Sequence, residues 1–430
     1  MPDVRERLEA ILSRLDARRT HEPVFSTVYA ERARAEADAA DARLREGRAL
    51  GPLDGRIVSI KDLFDVAGEP TLAGSAIRRS APPAMRDAAV VQRLRAAGAV
   101  IVGKTHMTEF AFTAVGLNPH YGNPGNAADP ACVAGGSSSG AAVSAAEGTS
   151  EIAIGSDTGG SVRIPAALNG LAGFKPTVGR IPLDGAFPLS PSLDSIGPLA
   201  KKVADLALAD AVMAGEAPVL PQPLPLAGLR IGLPKGRLLS AMEPAVAARF
   251  EESLAALRKA GAVLADIGVD DLIARLGEAT RIGSIVGIEA SRIHAATWLS
   301  DPLADVDERV KRPLSVRIKV PDAAYAELME TRAALAAEMD ARLQGFAMMA
   351  TPTTPIVAPT IASVSHDETE YDRVEGLLLR NTQVANQFGL CSVTLPMPGV
   401  GLPAGLMLTA RGGTDRNLLA AALSVETVLR

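Results

Sequence analysis

Two glycine-serine clusters constrain this chain more than any other feature: Gly135-Gly136-Ser137-Ser138-Ser139-Gly140 and Gly155-Ser156-Asp157-Thr158-Gly159-Gly160-Ser161. Glycine lets the backbone take conformations that other residues avoid. It also lets consecutive backbone N–H groups point at one spot, which makes a pocket for a negatively charged oxygen. The clusters lie about one supersecondary unit apart, and the second ends on a serine preceded by two glycines. A serine beside such a pocket is a candidate acyl-transfer nucleophile, and the question becomes what activates it.

The surrounding pattern alternates helix and strand. Residues 3–48 read as helices, with Leu8, Ile11, Leu12 and Leu15 at helical spacing. Ile57-Val58-Ser59-Ile60 reads as a strand with Lys61 at its end. Residues 90–97 read as a helix stopped by Gly98, and 99–102 as a buried strand. Residues 141–147, closed by Gly148, read as a short helix, and 151–155 as another buried strand. Residues 229–233, 244–260 and 262–269 form a strand-helix-strand unit, and 322–343 one long helix. The C-terminus reads helix, strand, turn, strand, helix. This alternation argues for an α/β architecture. The proline-rich stretch Pro218–Pro225 is the best linker candidate.

Composition excludes several classes of function. Aromatic residues make up 3% of the 430, the net charge is −5 and there is no basic run, so no nucleic-acid partner is expected. Cys132 and Cys391 are too far apart in sequence to suggest a disulfide scaffold, and no cluster has metal-ligand spacing, so no metal is expected. The charged N-terminus lacks the apolar stretch of a signal peptide, and no apolar run approaches the roughly 20 residues that span a bilayer. The expected setting is the cytoplasm, with no membrane partner.

Four readings of the clusters compete. A phosphate-binding loop requires a lysine where Ser161 stands. The dinucleotide fingerprint is absent from both clusters. A nucleophile elbow does occur at Gly136-Ser137-Ser138-Ser139-Gly140, and it would need a downstream histidine, His294 or His366. The fourth reading is that both segments are merely flexible or tightly packed. None of the five histidines (His21, His106, His120, His294 and His366) sits in a motif of its own. A serine without histidine can use a neutral lysine, and burial at the end of an apolar strand would lower the pKa of Lys61. Against this, a single lysine is more often a surface side chain with a buried stem.

The run GGSSSGAAVSAAEGTSEIAIGSDTGGSVRIPAALNGLAGFKP, from Gly135 to Pro176, resembles the signature of the amidase signature family of serine hydrolases. Val58-Ser59-Ile60-Lys61-Asp62 resembles that family's lysine motif, and the 24-residue step from Ser137 to Ser161 also matches. Further matches are Gly103–Phe110, Leu193–Leu199, Thr351–Pro355 and Gly401–Leu406, so the resemblance covers nearly the whole chain.

Carried onto this chain, the resemblance implies a nucleophile at Ser161, a bridging serine at Ser137 preceded by a cis peptide bond, and a base at Lys61. The oxyanion hole falls on the backbone N–H groups of Thr158, Gly159, Gly160 and Ser161. Asp157 and Arg163 read as scaffold for the glycine loop, Ser138 and Ser139 as residues that cap or brace it, and Cys132 as a small buried residue. The implied fold is a single large α/β domain over residues 1–430, a central mixed β-sheet with helices on both faces, in which the segment near 216–227 is only a crossing. The implied activity is an amidase that hydrolyses a small-molecule amide to a carboxylic acid and ammonia or an amine through acyl-Ser161. No cofactor is implied, and a homodimer is left open. Two alternatives are the glutamine-hydrolysing subunit of a tRNA-dependent amidotransferase and a carbamate or ureido hydrolase of the same family. A non-enzymatic binding descendant is disfavoured, because Lys61, Ser137 and Ser161 are all present. Specificity is expected from the middle region, roughly 270–345, which carries no readable motif.

Overall fold

Short aliphatic runs bounded by glycine or proline become strands, and the alanine-rich segments between them become helices. The computed structural model describes residues 3–18 and 24–430, which leaves His21 outside the described residues. The strands are β1 (Phe25–Val28), β2 (Ile57–Lys61), β3 (Val100–Thr105), β4 (Ile152–Ser156), β5 (Ala172–Lys175), β6 (Ile196–Ala200), β7 (Arg230–Pro234), β8 (Val263–Ile267), β9 (Met348–Pro352), β10 (Cys391–Pro396) and β11 (Gly405–Ala410). They form one mixed 11-stranded sheet in the order β1-β3-β2-β4-β6-β5-β10-β11-β9-β7-β8. β3, β2 and β4 are mutually parallel, as are β9, β7 and β8, and the strands between these two groups pair antiparallel.

The central strands are buried along their whole length, as expected of a sheet covered on both faces. On one face, Ala153 and Leu199 pack against alanines of the Ser139–Glu147 helix and against Val162 and Ala166 at the start and in the middle of the Arg163–Leu168 helix. On the other, Ile152, Ile154 and Ala200 join Leu206 of the Val203–Ala214 helix and Leu418 of the Asp415–Leu429 helix. Both glycine-serine clusters lie on the alanine face, where small residues let two short helices sit directly on the strands. A Cβ at Gly155 would meet Ser138 Oγ at 2.7 Å, and one at Gly173 the Ala166 methyl at 2.7 Å.

Residues 3–48 depart from their helical reading. The helices Val4–Ala17 and Ala30–Arg45 are interrupted by β1, which pairs antiparallel with β3. Gly103 permits the approach, since a Cβ there would fall on the Thr27 carbonyl oxygen. Four residues of Phe-Ser-Thr-Val carry too little periodic signal beside long Ala/Glu/Arg helices, and the edge pairing decides their conformation. The proline-rich stretch joins parts of one sheet. Leu224 N–H donates to Ala420 O at 3.1 Å and its carbonyl accepts from Ser424 Oγ at 2.6 Å, which ties the crossing to the C-terminal helix.

Gly197 sits in β6 where an added Cβ would collide with the Phe174 carbonyl oxygen of β5. Gly197→Ala should therefore force these two strands apart and cost about 1–3 kcal/mol. The expected readout is a lower urea midpoint with the slope of the transition retained; an unchanged midpoint would contradict this packing account.

Candidate active site

Lys61 ends β2 with its side chain completely buried. Its Nζ lies 2.7 Å from Ser137 Oγ and 2.8 Å from Ser156 Oγ. It makes no ion pair among the described residues. Burial pulls its pKa well below the usual range, to about 7, against the opposing charges of Asp157 and Asp194. Lys104, equally buried on the neighbouring strand, instead pairs with Asp62 at 3.5 Å. Ser137 follows a cis peptide bond from Gly136, and its carbonyl accepts from Thr108 N–H at 3.1 Å.

The second cluster is held from below by a buried ion pair. Arg163 and Asp157 are both fully enclosed and joined by two hydrogen bonds, Nε to Oδ2 at 3.0 Å and Nη2 to Oδ1 at 2.8 Å. Arg163 also donates to Thr382 O at 2.8 Å and to Asn386 Oδ1 at 2.7 Å, and Asn386 Nδ2 donates back to Asp157 Oδ1 at 2.9 Å. Burial opposes the Asp157 charge, but Arg163, Lys175 and Asn386 together outweigh it and hold the carboxyl at about 2. Thr158 Oγ1 donates to Asp194 Oδ1 at 2.6 Å, and Thr382 Oγ1 to Gly159 O at 2.8 Å. Gly160 takes a φ of 141°, and a Cβ there would collide with Thr382 Oγ1, so the turn requires glycine twice over. Ser138 stands at the start of its helix without capping it; its Oγ braces the loop by donating to Ser156 O at 3.3 Å.

Ser161 emerges from this turn into a cavity of about 160 Å³, with Thr158 and Gly159 also on its wall. Among the described residues, the backbone N–H groups from Thr158 to Ser161 make no hydrogen bond within the chain. Ser138 N–H donates to Ser161 O at 3.3 Å, which ties the two clusters together. No hydrogen bond links the Ser161 and Ser137 hydroxyls here. The elbow reading finds no histidine. His294 is bonded to Trp298, His366 ends a short helix, and neither shares a hydrogen bond with Ser138. Cys132 is buried.

The amidase family profile matches residues 6–419. The chain belongs to the amidase family. It is 36% identical to the 2-amino-5-chloromuconic acid deaminase of Comamonas testosteroni over 416 residues, which cover 94% of this chain and 88% of that protein. It is 34% identical to a glutamyl-tRNA(Gln) amidotransferase subunit of Anaeromyxobacter dehalogenans over 460 residues, covering 99% of this chain and 92% of that one. A solved amidase structure superposes with a TM-score of 0.86 at 32% identity, covering 100% of this chain and 97% of that one. The protein is thus an amide-hydrolysing enzyme acting on a carbon–nitrogen bond. No helix among its described residues is long and apolar enough to cross a membrane, and no cluster of three or more metal-ligating side chains occurs among them.

Several site residues of this amidase escaped the sequence reading. Ser156, the second partner of Lys61, is visible in the cluster but carries no distinguishing pattern. Glu375, Leu379, Gln383 and Gln387 all line the cavity from one face of the Glu368–Gln387 helix. Their four-residue spacing is readable, but which face of that helix meets the cavity is not. Glu375 accepts from the backbone N–H groups of Ala114 at 2.9 Å and Val115 at 3.1 Å, and desolvation nonetheless raises its carboxyl to about 7. Ser284, Ile285 and Val286 bring the middle region to the cavity wall as well.

Asp157→Asn tests the ion pair that carries the loop. It keeps the side-chain shape but leaves the Arg163 charge buried without its counter-ion, at a cost of about 3–5 kcal/mol. Thermal and urea unfolding should both report this loss, whereas a variant as stable as the parent would show that the pair does not hold the loop.

Proposed function

We propose that Ser161 is the nucleophile, Ser137 the proton bridge and neutral Lys61 the base of an amide hydrolysis that passes through an acyl-serine. The observation that carries this reading is the bond from Nζ of a buried, unpaired lysine to Ser137. Ser161 Oγ attacks the carbonyl carbon, and its proton passes to Ser137 as the Ser137 proton passes to Lys61. The carbonyl oxygen becomes an oxyanion and takes hydrogen bonds from the free N–H groups between Thr158 and Ser161. As the C–N bond breaks, Lys61 returns a proton through Ser137 to the departing nitrogen. Water then attacks the ester by the same relay, and the acid leaves with Ser161 restored. The relay requires Ser161 Oγ to swing toward Ser137 about its Cα–Cβ bond when substrate fills the cavity, since catalytic hydrogen bonds commonly tighten only once substrate is bound. These steps balance with the relay and water alone, so the reading calls for no metal or nucleotide, and it takes the enzyme to act in the cytoplasm.

Ser161→Ala should leave a folded protein with kcat down by about three orders of magnitude or more. A fluorophosphonate should label Ser161 on peptide mapping, and hydroxylamine should divert the acyl group to a hydroxamate. A phosphonate found on Ser138 or Cys132 would overturn the assignment.

The pH profile tests the base. Protonated lysine cannot accept a proton, so kcat/KM for an uncharged amide should climb about tenfold per pH unit below roughly 7 and level off above it, following the depressed Lys61 pKa. Lys61→Met should abolish this limb with most of the activity. Glu375 titrates in the same range at the cavity wall. Glu375→Gln should retain the limb, and its loss there would transfer the base to the carboxylate.

The likeness to an amidotransferase subunit over 99% of the chain supports a second reading, a glutaminase working with partner chains. Glutamine hydrolysis that appears only when those partner chains are added would establish it.

A further inference from the structure

A second cavity, of about 500 Å³, opens beside the first. Adjacent residues of the same two segments wall them both. Phe110 lines the second cavity and Ala111 the first; Phe187 and Pro188 line the second and Leu189 the first, and Ala111, Phe187, Pro188 and Leu189 also share a third cavity with Ser156 and Thr158. The chain has only 3% aromatic residues, yet several converge here. Phe110 stacks on Phe187 and on Trp298 with ring centroids 5.7 Å and 5.4 Å apart, and the His294 ring tilts against Phe110 at 4.5 Å.

Two polar groups on this wall have no use in the amide relay. The Arg78 guanidinium lies 4.5 Å above the Phe187 ring, and its Nε donates to Thr71 O at 2.6 Å. Its terminal nitrogens have no hydrogen-bond or ion-pair partner among the described residues. Asp301, also on this wall, is exposed and accepts from Leu303 N–H rather than from Arg78. His294 is 2% exposed, and its Nδ1 accepts from Trp298 Nε1–H at 2.9 Å. Burial, aided by the Arg78 charge, depresses its pKa to about 4 and so keeps the ring neutral. With Nδ1 accepting, the proton of the neutral ring sits on Nε2. That Nε2–H is buried and has no acceptor among the described residues, which is uncommon in a folded protein and marks a place for one.

We propose that this cavity binds a planar aromatic carboxylate. The ring lies against Phe110, Phe187 and Trp298, and the carboxylate pairs with Arg78 and accepts from His294 Nε2–H. A cation beside a neutral donor selects an anion with several lone pairs, and guanidinium suits carboxylate geometry. Aromatic faces favour a flat ring through offset and edge contacts. The proposal is independent of the acyl-serine reading, because binding here requires no turnover.

Trp298 is the sole tryptophan of the chain, so its fluorescence reports on this cavity directly. Titration of the intact protein with benzoate should give a saturable change. Benzamide and cyclohexanecarboxylate should bind at least about tenfold more weakly, the first lacking the charge and the second the flat ring. Arg78→Gln and His294→Phe should each weaken benzoate binding, the arginine variant by about tenfold or more. Phosphonylating Ser161 beforehand should leave the titration unchanged, which separates this site from the first cavity. No saturable change with benzoate, equal binding of benzamide, or an Arg78→Gln variant that binds as tightly as the parent would each overturn the proposal. Should a variant lose its fold by circular dichroism, the comparison of benzoate with benzamide on the parent protein still decides the matter.

Discussion

Two opposite charges, both fully buried, hold the second glycine-serine turn of this amidase in place. Removing Asp157 and Arg163 from solvent is costly, and only complete pairing with every remaining donor and acceptor occupied makes such a pair tolerable. That condition is met by groups distant in sequence: Thr382 and Asn386 on the Glu368–Gln387 helix, and the Met407 sulfur, 3.4 Å from Arg163 Nη1, on β11. The pair therefore locks the glycine turn, the helix that lines the cavity and the middle of the sheet into one arrangement.

The same enclosure sets the electrostatics. Three lysines, Lys61, Lys104 and Lys175, are essentially without solvent. Lys104 keeps an acid partner, and Lys175 donates to Pro176 O at 2.6 Å. Among the described residues Lys61 has only hydroxyl partners, so its desolvation is opposed by distant charges alone and its pKa falls to about 7. Burial and neighbouring charge act in opposite directions here, and burial wins because no carboxylate is close enough to reverse it.

The sheet and its two glycine-serine turns form a tightly packed frame, and much of the remaining cavity wall comes from other elements. The Ile285–His294 helix and its flanks furnish Ser284, Ile285 and Val286 to the first cavity and His294 to the second. A backbone frame fixed by close glycine contacts leaves little room for variation, and side chains of an added helical layer can change without disturbing it.

Part of this is legible in the amino-acid sequence alone. The sequence by itself determined the α/β alternation and the strand-helix-strand unit of β7 and β8, because periodicity is a local property, and its resemblance to the amidase signature implied the candidate set Lys61, Ser137 and Ser161. It did not reveal β1, whose four residues are extended only because Gly103 lets them approach β3. Nor did it reveal Ser156 as a lysine partner, the face of the Glu368–Gln387 helix that lines the cavity, or the aromatic cluster around Trp298. Lysine at the end of an apolar strand could equally have reached solvent. Only the tertiary structure decided that it does not, by bringing Ser137 and Ser156, 76 and 95 positions away, against its nitrogen and leaving no acid there. Burial and the distance between remote side chains are properties of packing, and no local pattern encodes them.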